Sequence, residues 1–193
     1  SRDQLHLDVL LADPATGSTS PVWSDHDERW VELVPGTGVL VDEGVLVTCA
    51  DRDGARRLFS GGDPVSPPEI QVRAVLAAAA DQVVVTGNPL DDATVQHVYR
   101  WDADGFGPIT DAPGFHTAAV GGTTVVVRSS TLDAPGGRWQ LPSGHVLTRH
   151  AERPLVHPVV TMTAHRADVP ATAVLLPRDH DGSPLPVLLD PYG

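Results

Sequence analysis

The chain has 193 residues, a formal net charge of −12, 41% hydrophobic and 20% charged residues, and all thirteen of its basic residues are Arg. That balance is globular rather than disordered, and the length supports a buried core in one or two domains. With no basic run or stripe, so acidic a chain is repelled by phosphate backbones and anionic bilayers, which sets nucleic acid and membranes aside as partners.

From the N-terminus, Leu5–Leu11 reads as a strand, Asp13–Gly17 as a turn and Thr19–Trp23 as the return strand. Trp30–Val34 then leads into a series of short runs rich in Val, Leu and Thr, among them Val45–Cys49, Gln82–Thr86 and Thr123–Arg128. None is long enough to span a bilayer. Turn pairs separate them: Asp53-Gly54, Gly61-Gly62, Asp104-Gly105, Gly121-Gly122, Gly136-Gly137 and Ser143-Gly144. Eighteen Gly and eighteen Pro fit the same picture of many short strands joined by turns. Val72–Asp81, with four successive Ala, is the most helix-like patch, but it has no clear cap and reads as strand.

The segments Arg56-Arg57-Leu58-Phe59, His97-Val98-Tyr99-Arg100 and Arg138-Trp139-Gln140-Leu141 begin 41 residues apart both times. Each follows a Val/Thr-rich strand and a polar or Gly-containing loop, and each precedes a tight turn and a short strand, clearest at Gly107–Thr110 and His145–Thr148. About four short strands per period of about forty residues is the pattern of β-propeller blades. An irregular β-sandwich also gives strands every 8–12 residues, roughly, but does not call for equal spacings. The expectation is part of one blade and about three more, a partial propeller of three to four blades whose remaining blades lie upstream. An open arc leaves strand edges unpaired. After about Pro154 the repeat stops. Val156–Arg166 and Ala171–Pro177 read as longer strands, followed by a polar turn and the apolar run Leu185–Asp190. The predicted division is 1–154 for propeller and 155–193 for the first strands of a second domain.

The closing segment carries a resemblance. Ala171-Thr172-Ala173-Val174-Leu175-Leu176-Pro177, then Asp181-Gly182-Ser183-Pro184 and Leu185–Asp190 ending in Pro191-Tyr192-Gly193, resembles the entry into the α/β-hydrolase domain of the prolyl oligopeptidase family. Trp30-Val31, Asp53-Gly54-Ala55-Arg56 and Val98-Tyr99-Arg100 are similar to the last propeller blades of its dipeptidyl peptidase IV branch. The resemblance implies a mainly β piece of a serine peptidase that releases N-terminal dipeptides after Pro or Ala, with no cofactor. It implies peptide substrates, the remaining blades and hydrolase domain of a longer parent, and homo-oligomers as partners. The family's catalytic Ser, Asp and His lie C-terminal to the Tyr-Gly pair, and this chain has no Gly-x-Ser-x-Gly elbow, so alone it is expected to be inactive. The opening Ser1-Arg2-Asp3 reads as a cut end. The compartment is left open, the cytoplasm favoured and an upstream leader compatible with the reading.

Two residues follow from the resemblance as site candidates. Tyr192 stands where the family's tyrosine donates a hydrogen bond to the tetrahedral oxyanion. A phenol stays protonated at neutral pH, and the loop after the third hydrolase strand commonly supplies such a donor. Arg56 stands near a blade turn that lines the substrate pocket in the relatives. Its guanidinium fork suits carbonyls and carboxylates. Arg57 competes for the inward position, and Ala55 replaces an aromatic residue frequent in the relatives. The remaining candidates read as structural. Asp25-His26-Asp27-Glu28 lacks calcium-loop spacing and reads as solvated charge in an inter-blade loop. The nine His show no zinc spacing, so no metal is expected. Cys49, the single cysteine, forms no internal disulfide and reads as an inert core thiol. Trp23, Trp30, Trp101 and Trp139 read as packing residues. Two other functions remain open: a non-catalytic propeller that binds protein partners, and a sibling acylaminoacyl peptidase or prolyl oligopeptidase.

Overall fold

A computed structural model describes residues 3–132, 134, 136–150, 159–163 and 171–186. The described residues form short antiparallel strands with no α-helix; a single 3-10 turn at Asp42–Gly44 is the one helical element. No helix among them is long and apolar enough to cross a membrane.

The fold is a partial β-propeller. A hairpin of β1 (His6–Ala12) and β2 (Thr19–His26) precedes it. The first blade is a meander of β3 (Val39–Leu40), β4 (Leu46–Arg52), β5 (Ala55–Ser60) and β6 (Asp63–Pro64). The second is β7 (Ile70–Ala78), β8 (Gln82–Pro89), β9 (His97–Asp102) and β10 (Gly105–Pro108). The third is β11 (Phe115–Gly121), β12 (Thr124–Ser130) and β13 (Arg138–Gln140), with a bridge from Gln140 to Val146 where a fourth strand stands in the other two. The three segments spaced by 41 residues fall on β5, β9 and β13, the third strand of each blade. A separate two-stranded sheet pairs β14 (Val159–Thr163) with β15 (Thr172–Leu176).

Turn chemistry explains the tight meanders. Between β4 and β5, Asp53 and Gly54 both take positive φ, 57° and 80°, and between β5 and β6 so do Gly61 and Gly62. Two successive positive-φ residues are what a twist-matched two-residue hairpin loop demands, and Asp-Gly and Gly-Gly supply them with least strain. The Ala-rich stretch is strand β7, bent by two register shifts. Gly36 crosses it so closely that a Cβ there would lie 2.0 Å from the Val75 carbonyl oxygen. Within the second blade, a Cβ on Gly87 would meet Ile70 Cγ2 at 2.9 Å and the Gln71 carbonyl oxygen at 3.0 Å.

Strand β8 lies between two cores. Val83 and Val85 face one way, into a cluster with Val47, Cys49 and Leu58 of the first blade and Val72 and Tyr99 of the second. Val84 faces the other way, with Val98, Val125 and Val127 of the second and third blades. Successive side chains on a strand point to opposite faces, so a run of Val is buried on both only where a blade is covered on both sides.

Candidate functional site

Arg56 lies near the tip of the first blade's central hairpin. The register sets Asp51 of β4 directly opposite it. Arg56 Nε donates to Asp51 Oδ1 at 3.1 Å and Nη2 to Oδ2 at 3.4 Å, a fork-to-carboxylate pair that fixes the guanidinium plane. The Arg56 backbone N–H donates to Gln71 Oε1 across the joint with the second blade, at 2.8 Å. Arg57, the next residue, points to the other face of β5. Its guanidinium donates to the Ser66 carbonyl and to Asp53 Oδ2. The two arginines are thus separated by strand alternation, and Arg56 is the one that faces the cleft with Trp30 and Asp25.

Asp25 departs from the reading of Asp25–Glu28 as solvated charge in a loop, whereas His26 and Glu28 are exposed. Asp25 and His26 are the last residues of β2. Asp25 is buried and pairs with Arg52, Nη2 to Oδ1 at 2.5 Å, which docks the N-terminal hairpin onto the first blade. Burying a carboxylate is costly unless it is paired and hydrogen-bonded. Asp27 accepts backbone N–H bonds from Trp30 and Arg29, and these hold its carboxyl below the usual range. Trp30 is exposed rather than packed, as is Trp139, while Trp101 packs against the first core as expected. The cleft encloses about 10 Å3, space for one water at most. In this arrangement Arg56 is an oriented cation whose acceptor is Asp51.

A wider cavity, about 450 Å3, lies between the second and third blades, where Arg100, Pro108 and Ile109 face Thr124, Val125 and Leu141. Its volume is in the range of small-molecule sites. Arg100 Nε donates to Asp102 there at 2.5 Å. Sequence reading missed this cavity: its walls come from two blades, and the strands that supply them stood out only as repeat elements.

Cys49 is buried in the first core, and burial pushes its thiol up to about 12, so it is a packing residue rather than a nucleophile. Among the described residues, no three His, Cys, Asp or Glu side chains are grouped to hold a metal ion. Tyr192 lies outside the described residues, so Arg56 is the one sequence-stated site residue whose surroundings are described.

No protein-family model matches the chain. No curated protein matches it either. Among solved structures, the chain is similar to the dipeptidyl peptidase 4 of Porphyromonas gingivalis, with a TM-score of 0.62 and 15% sequence identity. The likeness covers 84% of this chain and 26% of that one, so the chain spans about a quarter of the length of the protein it matches. At that identity it is a likeness of fold.

Proposed function

We propose that this chain is the propeller-to-hydrolase segment of a serine-type exopeptidase that releases N-terminal dipeptides after Pro or Ala. The carrying observation is the succession of antiparallel blades with a fold likeness to a dipeptidyl peptidase over 84% of the chain. In this reading residues 1–154 belong to the propeller, which gates access and orients peptide ends, and residues 155–193 open the hydrolase domain. The rest of the parent supplies the Ser, Asp and His. The serine oxygen attacks the scissile carbonyl, and negative charge gathers on the carbonyl oxygen as the tetrahedral intermediate forms. Tyr192 and a backbone amide donate to that oxygen, and a rigidly held donor of this kind lowers the barrier by about 3 kcal/mol. Arg56 keeps its Asp51 pair, which sets its plane, and turns its Nη1 edge to a substrate carbonyl.

The test is the full-length gene product assayed on Gly-Pro and Ala-Pro chromogenic amides. Tyr192→Phe is expected to lower kcat about a hundredfold with little change in KM. Arg56→Gln is expected to raise KM with kcat nearly unchanged. Absence of a Gly-x-Ser-x-Gly elbow after residue 193, together with no cleavage of either amide, would sink the peptidase reading.

A further inference from the structure

The joint between the second and third blades carries two histidines that the peptidase reading does not use. His97 of β9 and His116 of β11 stack with ring centroids 5.5 Å apart and planes 14° apart. His116 is buried. Its Nε2 lies 2.8 Å from the Ala112 carbonyl oxygen and its Nδ1 2.8 Å from Ser129 Oγ. A carbonyl only accepts, so Nε2 carries the hydrogen, and Nδ1 of the neutral ring takes the Ser129 hydroxyl hydrogen.

The stack sits where the two blades are bonded together. Gln96 and Phe115 form a parallel bridge. Gln96 N–H donates to the Gly114 carbonyl at 3.0 Å, His116 N–H to the Gln96 carbonyl at 2.9 Å, and the Gln96 side-chain amide to the His116 carbonyl at 2.9 Å. Other groups face His97 from the surrounding elements. Tyr99 stands edge-on at 6.2 Å, and Thr110 Oγ1 lies 3.4 Å from Nδ1. Asp92, in the β8–β9 connection, and Asp111, after β10, attract a proton to His97. Asp92 is itself kept ionised by Thr94. Burial first, and His116 second, outweigh the two carboxylates and hold His97 below its ordinary value of 6.5.

We propose that the His97–His116 stack makes the joint between the second and third blades acid-sensitive: closed at neutral pH, it opens locally and reversibly in mild acid, while the joint between the first and second blades stays shut. The physical cause is direct. A charge on the partly buried His97 ring is poorly solvated against the stacked face of His116, and separating the blades returns that ring to water. The sign follows from proton counting. The closed joint binds fewer protons than the open one, so its stability is full above the unfolded value of 6.5 and is lost as pH falls through it towards the lower closed-state value.

The test is amide hydrogen exchange on the full chain at about pH 7.5 and about pH 5.5, corrected for intrinsic exchange rates. Protection around residues 96–98 and 115–117 is expected to fall about threefold or more in acid, while that around 47–49 and 83–85 is unchanged. In His97→Phe, which keeps a stacking ring but cannot charge, the acid loss should disappear; His97→Gln serves if the Phe variant does not fold. Equal loss at both joints, no loss at either, or an acid loss that persists in the neutral variant each overturns the proposal.

Discussion

The joint between the first and second blades and the joint between the second and third share strand β8, yet they are held by different chemistry. The first buries nine residues in one cluster, all apolar apart from the hydroxyl of Tyr99 and the inert thiol of Cys49. The second buries four valines and completes its contact with the Gln96 bridge, the histidine stack and a bond from Gln82 Nε2 to the Gly122 carbonyl at 3.1 Å. Apolar burial is insensitive to pH and adds with area. Polar contacts contribute less each, about 1 kcal/mol net, but they can be switched by protons, ligands or water. A repeat architecture can therefore place a permanent joint and an adjustable one side by side, because each blade packs mainly on its neighbours.

The largest expected effect breaks the stronger joint. Leu58 is fully buried at its centre, and Leu58→Ala is expected to cost about 3 kcal/mol, read as a fall in the urea midpoint. A loss under about 1 kcal/mol would mean that this cluster does not hold the two blades. A finer comparison uses neighbours on one strand. Val84 and Val85 are both fully buried but face opposite joints. Val85→Ala and Val84→Ala should each cost about 2 kcal/mol. Their local effects should diverge: exchange at residues 47–49 rises more in Val85→Ala, and exchange at 115–117 rises more in Val84→Ala. Identical exchange patterns would show the two joints to be one cooperative unit. The smallest effect comes from Gln96→Ala, which removes one polar pin from the second joint. About 1 kcal/mol is expected, seen as faster exchange around 115–117 with the urea midpoint nearly unmoved.

Much of the blade framework was legible from residues alone, because blades are written locally. The 41-residue spacing lands on β5, β9 and β13, and the Asp53-Gly54 and Gly61-Gly62 pairs mark their turns by the positive φ those turns need. The Ala run of β7 read as strand despite its helical composition, and packing against β8 overrides propensity there. What escaped was everything made by two distant segments. Asp25 looked like one of a solvated run because its partner, Arg52, lies 27 residues on. His97 and His116 looked scattered because nothing local announces that a blade joint brings them into a stack. The 450 Å3 cavity has the same origin. The choice between Arg56 and Arg57 stayed open in the sequence, and the carboxylate that holds Arg56 was not foreseen. The expectation for Tyr192 falls outside the described residues.

The valine run of β8 raises a question of addressing. Three identical side chains in succession mark position weakly: sliding the strand by one residue would exchange valine for valine at two of the three buried sites and bring Gln82 or Thr86 to the third. Gly87 supplies a second mark. Ile70 and Gln71 approach it so closely that any side chain would collide with them. A slipped β8 would bring Thr86 or Asn88 to that spot, and neither fits. Proofreading of the second blade is therefore shared with one residue that has no side chain, two positions beyond the valines whose alignment it helps to decide.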